Sequence, residues 1–513
     1  MSSDTRQPGG RIKARRRTWS VRVSRRGPLV LTAALMLGGC LTVGPNYTKP
    51  RPETSKAWHA ALQGGLTAHR PDPAKLAHWW TLLGDAELTK LEARAVAANL
   101  DIRQALARVR EARAALGIEK AAAYPGLDAS GRAIKERGSE NAGIPGEDRL
   151  YDVGFDAGWE LDIFGGVRRS IEAATAELEA MHEDLRDVLV SLEAEVARNY
   201  VEVRTYEARL AAMRANLDAQ QESYDFNLSR FKSGLIDELA VQQSLQELET
   251  TRAEIPILKA GLAAAENRLA VLLAQTPGSL DRELEAVRPI PVPPLTVAVG
   301  IPADTLRRRP DVRRAERILA AQTARIGVAT AQLYPTFRLS GSIGLESLST
   351  GNLWQWASRT YRIGPSFSWP IFHAGAIRRN IEVATARQAQ ALIGYQKAVL
   401  AAQEDVEDAL VAYAKEQRRS DALGQAELAA RRALSLAKDQ YRSGLVDFTT
   451  VLGAQQALQS LQDGLAESRG EVTLDLIRLY KALGGGWMPM SVHTRPTTKR
   501  HPDNRAPTKV MAQ

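Results

Sequence analysis

The chain repeats itself at a fixed distance, and this restricts its architecture more than any local propensity does. DIRQALARVREARAALGIEKAAAYPGL, from Asp101, aligns with DVRRAERILAAQTARIGVATAQLYPTF, from Asp311, at an offset of 210 residues. The same offset carries Tyr124-Pro125 onto Tyr334-Pro335 and Arg169-Ser-Ile-Glu172 onto Arg379-Asn-Ile-Glu382. It also carries FKSGLID at Phe231 onto YRSGLVD at Tyr441. One offset held from Asp101 to Asp237 marks a duplication, so whatever one half builds, the other builds again.

Each half has the same internal order. A helix comes first, about Leu88 to Ala123 and about Asp304 to Leu333, and ends at Tyr-Pro, because proline disfavours helical geometry in the residue before it. Alternating segments follow. In YDVGFDAGWELDIF, Val153, Phe155, Ala157, Trp159, Leu161 and Ile163 share one face, while Asp152, Asp156, Glu160 and Asp162 share the other. In YRIGPSFSWPIF, Ile363, Phe367, Trp369 and Ile371 oppose Arg362, Ser366 and Ser368. A period of two predicts strands with one apolar and one polar side. Partner strands start at Leu127 and Phe337, with loops about 136–149 and 346–360, giving two strands per half.

Proline-free stretches from Ile171 to Arg230 and from Ile381 to Gln440 then predict helices of roughly 90 Å. The SGL elements follow, and then returning helices, about Glu238 to Gln275 and about Phe448 to Leu483, with a kink expected at Pro256 in the first. The two repeats are bounded at 88–275 and 304–486. A proline-rich linker, 276–303, joins them, residues 40–87 precede them, and a polar, basic tail, 487–513, is expected to be disordered.

Charge excludes one class of partner. The formal net charge is +9, but residues 1–39 hold nine Lys or Arg and one Asp, and the stretch from Ser491 holds five basic residues and one acidic. The body between is slightly acidic, which removes the main support for nucleic-acid binding. The basic start followed by PLVLTAALMLGG reads as an export signal over 1–39. It ends at Cys40, the only cysteine. LGGC resembles the bacterial lipobox, which implies acylation of Cys40, and Leu41 after it resembles lipoproteins sent to the outer membrane.

Strands with segregated faces suit either sheets packed on a helical core or a lipid-facing barrel. The export signal and the aromatic residues near the strand ends point to the barrel. A barrel in lipid must close, and four strands are too few, so the chain is expected to oligomerise. Long paired helices rich in alanine would continue such a ring as a tube with a polar lumen.

CLTVGPNYTKP after the lipobox, the two Tyr-Pro elements, WELDIFGG and WPIFHAG, and the two SGL elements together resemble the outer-membrane efflux channels of the TolC type, in their lipoprotein branch. The resemblance runs from Cys40 to Gly486. It implies a mainly α fold with a membrane β-barrel portion: a homotrimer with twelve strands in outer-membrane lipid and a periplasmic α-helical tunnel. It further implies docking on a periplasmic adaptor and an inner-membrane transporter of the RND type. The tips of the hairpins, Phe231, Ser233, Gly234 and Leu235 with Tyr441, Ser443, Gly444 and Leu445, are the implied adaptor-docking residues. A plain helix-ending glycine would explain Gly234 and Gly444 but not the shared residues around them.

In this family aspartates beyond the second tip commonly ring the closed entrance. The matching slot here is Gly453, with Gln243 in the first half, so the nearest acids are Asp237 and Asp447. The acidic strand face, Asp152, Asp156, Glu160 and Asp162, predicts a mild cation preference. No catalytic, metal-binding or cofactor motif stands out, and a passive export duct needs none. The competing readings are the same pore with another cargo, such as a metal ion, an oligosaccharide or a secreted protein, and a periplasmic scaffold or adaptor lipoprotein without a pore.

Overall fold

The computed structural model describes residues 42–51, 55–142 and 146–487. The export signal, Cys40 and the residues from 488 onward lie outside them. In chain order the elements are β1 (Leu66–Thr67), α1 (Pro73–Ala77), α2 (Ala86–Ala98), α3 (Leu100–Ala121), β2 (Gly126–Gly138), β3 (Gly146–Leu161), α4 (Gly166–Lys232), α5 (Glu238–Leu272), α6 (Asp281–Leu284), β4 (Val297–Ala298), α7 (Pro302–Arg308), α8 (Pro310–Ala331), β5 (Thr336–Ser347), β6 (Arg359–Ser368), α9 (Ala376–Arg442) and α10 (Phe448–Ala482). The duplication is therefore structural. Helices α4 and α9 have 67 residues each and α5 and α10 have 35 each, with every boundary displaced by the sequence offset.

Two expected helices are each broken once. Asn99 stops α2 and starts α3, because its side-chain oxygen accepts from the Asp101 and Ile102 amides at 2.8 and 3.2 Å. Pro310 takes the first turn of α8, where its missing N–H costs nothing, so α7 ends at Arg308. Helix α5 continues through Pro256. A short parallel pair, Leu66–Thr67 with Val297–Ala298, ties the segment before the first repeat to the linker. Two residues per strand carry no periodicity that a sequence could show.

The main core lies where α2, α4, α5 and α10 meet around Trp79, which stacks on Tyr480 with ring centroids 5.3 Å apart. It also holds two buried carboxyl groups, Glu92 and Glu193, with side-chain oxygens lacking hydrogen-bond partners. Burial pushes Glu193 up to about 9, and burial together with the nearby Glu193 pushes Glu92 well above the carboxylate range. Glu193 is neutral near pH 7, and burial favours the neutral form of Glu92 in the same direction, which lets the pair sit in an apolar core.

The segment after the lipobox is strapped to α4 and α8. Arg169, itself buried, donates to the carbonyls of Val43 and Gly44 at 3.1 and 3.3 Å and to Asn46 at 2.7 Å. Gly44, at φ +85, lies so close to Gly327 that a Cβ would come within 2.4 Å of its Cα. Farther along, Tyr47 donates to Glu316 at 2.9 Å and Lys49 pairs with it at 2.7 Å. These contacts give VGPNYTK a structural task.

Candidate functional site: strand faces and hairpin tips

The four long strands form one antiparallel sheet in the order β2-β3-β5-β6. Its register sets the faces. Ala129, Phe155, Ile343 and Tyr361 stand in one cross-strand row, and Leu127, Ala157, Gly341 and Ile363 in another, both on the apolar side. Phe155, Ile343, Tyr361 and Ile363 are exposed there, with nothing among the described residues covering them. Trp159 and Trp369 anchor the base of the sheet in repeat-equivalent ways: each indole donates at 3.0 Å to the carbonyl just before its Tyr-Pro element, that of Ala123 and that of Leu333. Trp369 and Ile371 fall beyond β6, which ends at Ser368, so the expected alternation stops short of them.

On the opposite face, Asp152, Asp156 and Glu160 of β3 are joined by Asp128, Glu136, Asp148 and Glu346, against Arg132, Arg338 and Arg362. Arg132 pairs with Asp152 at 2.7 Å, Ser130 donates to Asp156 at 2.7 Å, and Arg338 stands opposite Glu160. The face is acidic in sum but partly neutralised. Asp162 is not part of it. β3 ends at Leu161, and Asp162 instead accepts from the Val167 and Arg168 amides at 3.1 and 2.9 Å, fixing the start of α4. An acid in phase with a strand pattern is here an anion at a helix N-terminus, where the unpaired amides attract it.

Both tips close in the same way. Gly234 and Gly444 take φ +72 and +76. Gly234 donates to Phe231 and Leu235 to Arg230, at 2.8 and 2.9 Å; Gly444 donates to Tyr441 and Leu445 to Gln440, at 3.1 and 2.9 Å. Each glycine thus ends its long helix in the left-handed conformation that the double bond pattern requires. Ser233 and Ser443 donate back to the carbonyls of Ser229 and Asp439. In this cap the residue after the glycine ordinarily packs on the one five positions earlier. Here those are Arg230 and Gln440, and Leu235 and Leu445 remain 66% and 75% exposed. Apart from the adjacent residues, no atom among the described residues lies within 4 Å of a Cβ built on either glycine. The cap explains the glycines and leaves the leucines unexplained.

The tips differ at their aromatic residues. Phe231 is exposed, but Tyr441, expected on the docking surface, is 8% exposed and packs with Phe448, Val451, Ala437 and Ala240 between the two hairpins. Burial pushes its hydroxyl up, so it stays a donor, and it donates to Asn227 of the other hairpin at 2.9 Å. Arg230 lies over the Tyr441 ring, 5.2 Å from its centre. Sequence reading missed Asn227 and Arg230 because the link is made only when the hairpins lie side by side. The acids differ too: Asp237 accepts from the Ala240 amide at 3.4 Å, whereas Asp447 makes no side-chain cap. Gly453 lies in α10 with open space where a Cβ would be.

The family described as Outer membrane efflux protein matches residues 91–275 and 301–485, two stretches displaced by the repeat offset. The chain belongs to the outer membrane efflux protein family. Nodulation protein T of Rhizobium leguminosarum bv. trifolii is 33% identical over 470 residues, covering 89% of this chain and 97% of that protein. The solvent efflux pump outer membrane protein SrpC of Pseudomonas putida is 31% identical over 464 residues, covering 90% and 98%. The solved outer-membrane channel OprN is 34% identical with a TM-score of 0.82, covering 87% of this chain and 100% of that one. This chain is an outer-membrane efflux channel with the TolC-like fold, its helices forming the tunnel and its strands the barrel portion. Among the described residues no helix is long and apolar enough to cross a membrane.

Proposed function

We propose that three copies of the chain close a twelve-stranded barrel in the outer membrane and a helical tunnel below it, a passive exit duct for drugs or other small molecules. The observation that carries this reading is the four-stranded sheet. Among the described residues its outer strands have no further partner and its apolar face is uncovered, while its other face is acidic. Such a sheet meets the demands of lipid only when closed with others. An acylated Cys40 would add an anchor beside the barrel.

The exposed Leu235 and Leu445 beside open glycines support the tips as the docking surface for a periplasmic adaptor, which in turn meets an RND-type inner-membrane transporter. Asp447 is the favoured acid for an entrance gate, since Asp237 is engaged by its own helix and Gly453 offers no charge. Removing the chain from its own cells is expected to raise steady-state accumulation of an amphiphilic fluorescent dye, and re-expression of the full chain to restore export. Unchanged dye levels, with sensitivity to a metal ion instead, would move the cargo to the cation class.

A further inference from the structure

The apolar side of the sheet changes character at the end away from the helices. From Leu161 to Tyr151 that side of β3 climbs about 33 Å along the strand, or about 25 Å at the tilt usual in membrane barrels, which is the height of their apolar band. One rung farther out, the same side carries Lys135 directly opposite Arg149. Like charges facing each other across strands oppose the pairing. Glu147, next on that side, pairs with Lys135 at 2.9 Å and stands opposite Arg137, so Arg149 is left exposed and without an ion pair among the described residues. Chain neighbours sort by sign here: Lys135 and Arg149 lie on the apolar side, whereas Glu136 and Asp148, which also face each other, lie on the polar side. Solubility asks for charge at the end of a hairpin, but not for its sorting by face.

The second hairpin places a cation on the same side by other means. Arg359, the repeat equivalent of Arg149, ends the apolar-side rung of Val153 and Leu345. It too is exposed and without an ion pair among the described residues. Its guanidinium carbon lies 4.3 Å from the centre of the Trp356 ring, and Nη1 donates to the Trp356 carbonyl at 3.1 Å. The charge is therefore drawn toward the loop end of the strand, while the stem stays over the apolar side. Trp354 and Trp356 are themselves 75% and 78% exposed. The turn that presents them is fastened, because Ser358 donates through its hydroxyl to the Asn352 carbonyl at 2.7 Å and through its amide to the Gln355 carbonyl at 3.0 Å. Exposed indoles on a fastened turn suit the headgroup layer of a bilayer, where the apolar ring and its polar edge both find partners.

We propose that this outer end of the apolar side is a binding site for phosphate-bearing lipid of the outer leaflet. One phosphate is held between Lys135 and Arg149, and another by Arg359 above Trp356. An anion between Lys135 and Arg149 removes the repulsion of that rung, and a planar guanidinium offers paired donors to a phosphate. The position matches the ligand: the cations stand where the apolar band gives way to the loops, which is the depth of a lipid headgroup and not of its chains. The proposal rests on the lipid-facing sheet put forward above and adds which lipid that sheet selects.

The test reconstitutes the full chain in phosphatidylcholine vesicles containing diphosphoryl lipid A or its dephosphorylated counterpart, extracts it in mild detergent, and measures retained lipid by native mass spectrometry. The diphosphoryl form is expected to be retained in preference. Arg149→Gln and Arg359→Gln are each expected to weaken its retention about fivefold. Arg362→Gln removes the same charge three positions along β6, on the polar side, and is expected to leave retention unchanged. Equal losses in the Arg359 and Arg362 variants would assign the effect to overall charge and overturn the site. So would equal retention of the two lipids, or displacement of the lipid by the same concentration of inorganic phosphate. Chains that never enter the vesicles would instead overturn the lipid-facing reading of the sheet.

Discussion

Gly444→Trp is expected to leave assembled channels in the outer membrane and yet return cells to the dye accumulation of a strain lacking the chain. Gly444 sits at φ +76 with open space where a Cβ would be, so a large side chain starts into space rather than into its own protomer, on the side the proposed adaptor would approach. Backbone strain is the competing cause, since a non-glycine residue in the left-handed region costs about 1–2 kcal/mol. Gly444→Asn separates the two, because asparagine tolerates that conformation and adds little bulk. Export retained by the asparagine variant and lost by the tryptophan variant places the effect in the open space beside the glycine; equal loss in both places it in the turn. Leu445→Asp is expected to act in the same direction. Loss of an exposed apolar anchor of about 2 kcal/mol weakens docking about thirtyfold.

The second large effect separates the two faces of one strand. Ile343 and Ser342 are neighbours on β5, the first exposed on the apolar side and the second paired with Asp156 and Arg362 on the polar side. An arginine at the bilayer midplane of a barrel costs about 2–4 kcal/mol, and every copy in a trimer would carry it. Ile343→Arg is therefore expected to remove most folded channel from the outer membrane. Ser342→Arg places a new guanidinium between Asp156, which attracts it, and Arg362, which opposes it, on the water-facing side, and is expected to leave the amount nearly unchanged. Folded, heat-modifiable trimer in outer-membrane fractions is the measure, and the reverse order would mean that the faces are inverted.

Much of this architecture was legible because the duplication let each half check the other. Four strands, two long helices and two returning helices stand where period and proline placed them. Finer features depended on contacts between segments far apart in sequence. Asp162 fits the strand alternation, but the amides of α4 claim it. Tyr441 reads as the equal of Phe231 until the second hairpin buries it against the first. Arg169 and Arg379 look interchangeable in the repeat, yet only Arg169 is covered by the strap, which comes from outside the repeats. The leucines of the two tips were legible as part of a shared motif. That the cap leaves them without a partner required the geometry of the turn.

Conductance of purified trimers in a planar bilayer, with reversal potential read in a salt gradient, tests most directly whether this chain makes a channel at all. Discrete single-channel openings with mild cation preference are expected, the preference falling when Asp156→Asn and Glu160→Gln thin the acidic face. Folded trimers that insert and never conduct would contradict the account.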